Sequence, residues 1–384
     1  MHTIPLSAYI HLPWCVRKCP YCDFNSHTAK DNMDEKLYLK ALLADIEFEA
    51  QSKDERIIET VFIGGGTPSL FSAHSIYLIL EKLRNSYGFS DNVEITIEAN
   101  PGTIEHDSFA AYKDAGVSRV SLGVQSFNPQ QLQILGRIHD HHQANAAIEQ
   151  VMSCGFNSVN IDIMHGLAKQ TTQQAIEDLT IAIHHQPQHI SWYQLTIEKN
   201  TLFDCHPPEL PSEDCIAEIQ SHGKTLLDQH QYTQYEVSAF SKPNQQCRHN
   251  LNYWRFGDYL GFGAGAHSKI TINYTKIERM SRCKHPQQYM NQAGTSESIQ
   301  SILIKNDAEL IFEFLMNHLR ISIPVTKLLF ANRTGIDWQQ LITASNKAIK
   351  LELIKIDDST LELTPLGQQF LNDTLMTYLP SKKT

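Results

Sequence analysis

The chain has 384 residues, with 32 Lys and Arg against 42 Asp and Glu for a net charge of −10. An acidic chain gives no electrostatic reason to bind nucleic acid, and without an apolar run of about 18 residues no transmembrane helix is expected. The opening "MHTIPLSAYIHLPW" lacks a basic segment followed by an apolar one, so no signal peptide is expected and the eight cysteines point to a cytoplasmic chain whose thiols are metal ligands or buried groups.

The first predicted strand is "SAYIHL", residues 7–12, and Cys15, Cys19 and Cys22 follow it in the spacing C-x3-C-x2-C. "MDEKLYLKALLADIEFEA" (33–50) has helical period, with Leu39, Leu42, Leu43 and Ile46 on one face. The strand "TVFIGG" (60–65) runs into "GGGTPSL", and a helix over 72–86 has Ser72 as its N-cap. Then come the strand "VEITIEAN" (93–100), a helix over 104–116 closed by Gly116, and the strand "RVSLGVQS" (119–126). A helix over 141–155, the strand "SVNIDIMHG" (158–166), a helix over 171–185, the strand "HISWYQLTI" (189–197) and a helix over 212–230 complete the series.

Six βα units in a row predict an α/β fold with a parallel sheet and helices outside it. Such sheets place ligand sites at the carboxyl ends of their strands, and "GGGT", "EANP", "GVQS" and "DIMHGL" each follow an apolar strand. A partial (β/α)6 barrel over 1–240 is preferred to a flat doubly wound sheet. Residues 241–298 read as an irregular extension rich in Gly, Asn, His and aromatics. Over 299–384, helices at 307–320 and 337–350, a hairpin around Asp357, Asp358 and Ser359, and a helix over 365–376 predict a small α+β winged-helix-like domain. It lacks a concentrated basic helix, so structure or docking fits it better than nucleic acid binding.

Three thiolates within eight residues wrap one short loop around one soft-metal object. Structural zinc takes four protein ligands and would have to recruit His11 or His27. Iron–sulfur clusters usually take four thiolates, so a [4Fe–4S] cluster held by three keeps one iron open to a small molecule.

"CVRKCPYC" resembles the signature of the radical S-adenosylmethionine (SAM) superfamily, including the aromatic, Tyr21, before the third cysteine. That resemblance implies a cluster at the strand ends whose open iron chelates SAM and can cleave it to a 5′-deoxyadenosyl radical. It also implies that Gly65, Gly66 and Thr67 of the "GGGT" loop serve the SAM amino group. Tyr9, Glu98, Gln125, Arg137 and Asp162 are similar to SAM-contacting positions of the coproporphyrinogen-dehydrogenase branch, Glu98 being suited to both ribose hydroxyls. Ala168 stands where that branch usually has proline.

Two functions of different class share this barrel. One is an oxygen-independent coproporphyrinogen III dehydrogenase; the other is a haem chaperone of the HemW family. The dehydrogenases carry a fourth cysteine where this chain has Phe24, and a longer arm than the 14 residues that precede Cys15. "RHNLNYW" (248–254) resembles the H-N-x-x-Y-W motif of the chaperones. The resemblance implies haem handling by His249, Asn250, Tyr253 and Trp254, with Cys247 and His267 as alternative ligands. The bland alternative is that these aromatics only cover the barrel mouth. The chaperone resemblance further implies recipient haem apoproteins such as respiratory enzymes, and no coproporphyrinogen dehydrogenase activity. A homodimer and peripheral docking at a membrane surface are compatible with it.

Overall fold

The structure, a computed structural model, describes residues 4–29, 33–51, 55–102, 108–272, 276–304 and 306–379. Its strands in chain order are β1 (Leu6–Leu12), β2 (Trp14–Cys15), β3 (His27–Thr28), β4 (Ile58–Gly65), β5 (Phe89–Ala99), β6 (Arg119–Gln125) and β7 (Ser158–His165). They continue with β8 (His189–Gln194), β9 (Thr233–Glu236), β10 (Ala239–Ser241), β11 (Asp258–Phe262), β12 (His267–Ile272), β13 (Lys276–Arg282) and β14 (Ile299–Ile304).

β1, β4, β5, β6, β7 and β8 lie side by side in that order and run parallel. Parallel neighbours need crossovers, supplied by helices Glu35–Ala50, Ala73–Tyr87, Phe109–Asp114, His141–Ser153 and Thr172–His184, while the helix Glu213–Gln229 leads from β8 to β9 and β10, which join the sheet antiparallel. Their starts are chemically marked. Ser72 accepts from Ser75 N, and Asp140 and Thr171 each complete a capping box with a glutamine three residues on. Residues 103–107, where the third predicted helix begins, lie outside the described residues.

Strand side chains alternate between faces. One set (Ala8, Ile10, Leu12, Val61, Ile63, Ile97, Leu122, Ile161 and Ile190) is fully buried in one core with Leu42, Ile46, Ile76 and Leu179 from the helices. The other set is Ser7, Tyr9, His11, Thr60, Glu98, Ser121, Gln125, Asn160, Asp162 and Tyr193. The concave interior of the sheet is therefore polar, and the site residues sit on it.

The segment 241–298 is a correction to the expected irregular extension. It holds the helix Arg248–Trp254 and strands β11 to β13. β11 pairs parallel with β1, Leu6 opposite Asp258, so a seventh parallel strand joins the sheet. β12, β13 and β14 extend it antiparallel. Glycines in "DYLGFGAG" hide the apolar pattern of the buried β11, and charges in "KIERMSR" that of the half-exposed β13. β14 belongs to this sheet, so residues 299–304 go with the barrel rather than with the C-terminal unit.

The C-terminal unit has its own core around Phe314, Phe330, Trp338, Leu341 and Leu361. Strands Val325–Thr326, Thr360–Leu363 and Ile354–Ile356 form its small antiparallel sheet. The hairpin turns at Asp357, whose Oδ1 accepts from Ser359 N at 2.7 Å and Thr360 N at 2.8 Å. Two predicted helices are broken in two, at Ser345 and at Phe370. An unanticipated helix, Lys327–Thr334, starts on the Thr326 cap and stops at Gly335 in the left-handed region (φ 68°). Arg320 stacks over Trp254 at 4.8 Å, Arg333 donates to the Arg255 carbonyl at 3.2 Å, and Arg279 pairs with Glu313; these contacts seat the unit on the barrel. Among the described residues no helix is long and apolar enough to cross a membrane.

Candidate cofactor site

A cavity of about 520 Å³ opens at the carboxyl ends of the parallel strands. It takes Gly65 to Thr67 from the end of β4, Glu98 from β5, Gln125 from β6, Asp162 from β7 and Tyr193 from β8. In a flat sheet, β4 and β8 would stand about 19 Å apart. For their ends to line one cavity the sheet must curl, as a partial barrel does. Cys15, Cys19, Cys22, Tyr21 and Arg137 also line it.

The cysteine loop is held shut by short-range and long-range ties. β2 and β3 pair parallel, Trp14 opposite His27. Asn25 Nδ2 donates to the carbonyls of Ala264 (2.9 Å) and Lys284 (2.8 Å), while its own carbonyl bonds His11 Nε2 at 2.9 Å. Burial, together with the neighbouring Cys22 and Cys19, pushes the Cys15 thiol up to about 11 against opposing bonds from Thr67 and Ser26. Burial likewise raises Cys22. Thiols raised in this way, Cys15 and Cys22, stay protonated unless a cationic metal centre binds them. That donor set fits an iron–sulfur cluster.

The zinc alternative fits less well. Both ring nitrogens of His11 are engaged, Nδ1 with the Tyr9 hydroxyl at 3.0 Å and Nε2 with Asn25. The His27 ring packs on His285 instead of the thiols. Among the described residues no three Cys, His, Asp or Glu converge closely enough to hold a single ion, as a tetrahedral zinc with bonds of about 2.3 Å requires.

The "GGGT" loop is laced to the cysteine loop. Gly65 N donates to Glu98 Oε2 (3.2 Å), Gly66 N to the Leu12 carbonyl (2.8 Å) and Thr67 N to the Trp14 carbonyl (2.7 Å). With its N–H donors engaged, the loop is poorly equipped for phosphate and better suited to an amino group, which needs carbonyl acceptors. A Cβ on Gly66 would lie 2.4 Å from the Trp14 oxygen, so this approach requires glycine.

Burial and the nearby Asp162 push the Glu98 carboxyl up to about 7, against the bond from Gly65 N. Burial also raises Asp162, which accepts from Asn160 Nδ2 (2.8 Å) and Ser121 Oγ (3.1 Å). Arg137 donates to Asn100, to the Gly123 carbonyl and, at 3.7 Å, to Cys19 Sγ. Gln125 lies in the left-handed region (φ 73°), and its Oε1 accepts from the Tyr193 hydroxyl at 2.5 Å. Non-glycine strain of this kind gathers at functional sites. Asn100, Ser121 and Tyr193 also line the cavity and were not anticipated. Asn100 alone had a usable signal, lying directly after Glu98 and Ala99 at a strand end.

Five predicted residues lie apart from the cavity lining. Tyr9 sits on the interior face against His11 and Phe62. The helix Arg248–Trp254 closes the opposite, amino-terminal end of the barrel. His249 is 1 % exposed, its Nδ1 bonded to Thr60 Oγ1 at 2.9 Å and its ring between Phe62 and Tyr253. Burial and Arg119 lower its pKa to about 3. Tyr253 packs on Tyr259 and Trp254 on Arg320, while Asn250 is half-buried. Of the alternative haem ligands, Cys247 is fully buried and His267 is exposed.

The profile of the Radical SAM superfamily matches residues 9–179, and that of the HemN C-terminal domain matches residues 306–370. Heme chaperone HemW from Haemophilus influenzae is 46 % identical over 379 residues, covering 98 % of both chains. Heme chaperone HemW from Escherichia coli is 43 % identical over 375 residues, again 98 % of both. Among solved structures, coproporphyrinogen III oxidase (HemN) from Escherichia coli superposes with a TM-score of 0.82 over 98 % of this chain and 90 % of its own, at 22 % identity. That last likeness is one of fold.

Proposed function

This chain belongs to the HemW heme-chaperone family of the radical SAM superfamily, and from that membership we propose that it is a cytoplasmic haem carrier with a SAM-coordinated [4Fe–4S] cluster. The observation that carries the cofactor part is one cavity lined by three cysteines and by Gly65, Glu98, Arg137 and Asp162. In this reading Cys15, Cys19 and Cys22 hold the cluster. Gly65, Gly66 and Thr67 present carbonyls to the SAM amino group, Glu98 takes the ribose hydroxyls, and Tyr21, Gln125, Arg137 and Asp162 shape the remaining contacts. The bound cluster supplies an open iron and a reducing electron. The chain supplies a pocket tied to the cluster loop through Gly66 and Thr67. Tyr9 steadies His11 and through it the loop.

Haem is the cargo, passed to haem apoproteins such as respiratory enzymes, with docking at a membrane surface and a homodimer as extensions of the same reading. His249, Asn250, Tyr253 and Trp254 serve it by closing the barrel and seating the C-terminal unit. The test uses anaerobically reconstituted protein. It is expected to bind haem stoichiometrically and pass it to an apoprotein, while coproporphyrinogen III with reductant and SAM gives no protoporphyrinogen. Substantial turnover would return the chain to the dehydrogenases.

Glu98 makes a pH prediction. Its raised pKa leaves a large protonated fraction below about 7, and a protonated carboxyl accepts fewer hydroxyl bonds. SAM affinity of the cluster-loaded protein should therefore rise as pH increases through 7 and level off above it. Glu98→Gln should weaken binding roughly tenfold, about 1.4 kcal/mol, and flatten the profile. Calorimetric titrations between pH 6 and pH 8.5 check both.

A further inference from the structure

A line of hydrogen bonds crosses the polar interior of the barrel. It runs from Asp162, in the lining of the cofactor cavity, to the start of the helix Arg248–Trp254 at the opposite end. Asn160 Nδ2 donates to Asp162 Oδ1 and to Ser121 Oγ, both at 2.8 Å, so its Oδ1 is the acceptor. His189, 1 % exposed, meets that oxygen through Nδ1 at 2.6 Å and the Tyr235 hydroxyl through Nε2 at 2.8 Å. Burial and Arg119 hold the His189 pKa well below the usual range, so the ring is neutral. A neutral ring that donates at Nδ1 accepts at Nε2, and the Tyr235 hydroxyl therefore donates to it. The Tyr235 oxygen in turn accepts from Cys247 N at 3.2 Å. Every donor in the line points towards Asp162.

The helix at the far end depends on these groups. Its N-cap residue, Cys247, makes no side-chain cap bond, so the N–H groups at its start turn to the barrel wall. Cys247 N uses Tyr235, and His249 N donates to Glu94 Oε1 at 3.1 Å, which Cys247 Sγ also approaches at 3.7 Å. The buried Arg119 lies among Glu94, Cys247, Tyr235 and Asp162, and so sets one cation beside both ends of the line. Bonds in such a chain polarise one another, and a carboxylate is a stronger acceptor than a neutral carboxyl. SAM brings a sulfonium cation, which favours Asp162 as a carboxylate against the repulsion of Glu98. We propose that His189 and Tyr235 form a relay that couples SAM occupancy of the cavity to the seating of the helix Arg248–Trp254. Neither residue lines the cavity, and both are positioning residues. The relay rests on the reading of the cavity as a SAM site and adds how that site acts on the segment bearing "HNLNYW". A ligand in the cavity tightens the helix, and by linkage a seated helix holds the ligand more firmly.

The test is amide hydrogen exchange at Cys247 and His249 in the full-length, cluster-loaded chain, kept anaerobic, with and without saturating SAM. Calorimetry on the same samples measures SAM binding. In the wild type, SAM is expected to slow exchange at both amides roughly fivefold. Tyr235→Phe removes only the hydroxyl, and His189→Phe keeps a ring without its nitrogens. In both variants SAM should still bind but change exchange less than about twofold. His189→Gln, whose amide can donate to Asn160 and accept from Tyr235, should restore most of the wild-type difference. A purely structural role would raise exchange equally with and without SAM and leave the ratio intact. Should His189→Phe fail to fold, Tyr235→Phe decides. A wild-type ratio that persists in Tyr235→Phe overturns the relay and leaves the SAM reading standing, as does a wild-type chain that binds SAM with no change at either amide. A cluster-loaded wild-type chain that binds no SAM overturns both.

Discussion

Cys19→Ser protein, reconstituted anaerobically with iron and sulfide, is expected to lose the iron–sulfur absorption almost completely. The loop has three thiols for the cluster, and Cys19 is the one that Arg137 approaches, at 3.7 Å. A serine oxygen is a harder and less willing ligand for iron held among sulfides. The raised Cys15 and Cys22 thiols cannot compensate, since each depends on the metal centre to deprotonate. Iron and sulfide analysis should fall from about four of each per chain to a small residue. SAM affinity should fall with it, since the open iron goes with the cluster. Far-ultraviolet circular dichroism should stay close to wild type, because the barrel core does not include Cys15, Cys19 or Cys22. Full cluster retention in Cys19→Ser would refute the ligand assignment.

The second large effect lies away from the cavity. Arg282 is 1 % exposed and ion-paired with Asp45 (3.0 Å) and Glu49 (2.5 Å), and Tyr289 donates to Asp45 at 2.8 Å. Arg282→Met leaves Asp45 charged and buried with its cation gone, a change that costs about 3–5 kcal/mol. Burial already raises the Asp45 pKa in the wild type, with Arg282 opposing it. In the variant it rises further above its unfolded value. Proton uptake then favours the folded state, so the deficit should shrink as pH falls from 8 to 5. Urea unfolding at both pH values checks the size and the sign. A deficit below about 1 kcal/mol would place the pair among weakly coupled surface contacts. Because Arg282 stands two residues before Lys284, whose carbonyl anchors Asn25, the variant should also retain its cluster less well.

The site was legible where its residues follow strands or share one loop. Cys15, Cys19 and Cys22 announce themselves by spacing. Glu98, Gln125 and Asp162 are polar groups ending or interrupting apolar strands, and the structure brings them to one cavity. Asn25 was not legible, because its partners lie 239 and 259 residues away and nothing local marks an asparagine that bonds distant carbonyls. His249 was ambiguous for the opposite reason. An imidazole among aromatics suits a porphyrin face equally well as a barrel plug, and only its burial against Thr60 and Phe62 separates the two. Strands β11 to β13 were missed because a parallel addition to β1 and a half-exposed antiparallel edge carry weak apolar periodicity.

The central claim is a cluster held at three corners with its fourth iron open to SAM, and Mössbauer spectroscopy of the 57Fe-reconstituted protein tests it most directly. The account predicts one iron distinguishable from the other three on adding SAM, its isomer shift rising as nitrogen and oxygen ligands join it. Four equivalent irons that ignore SAM, or a site that takes up zinc in preference to iron, would contradict it.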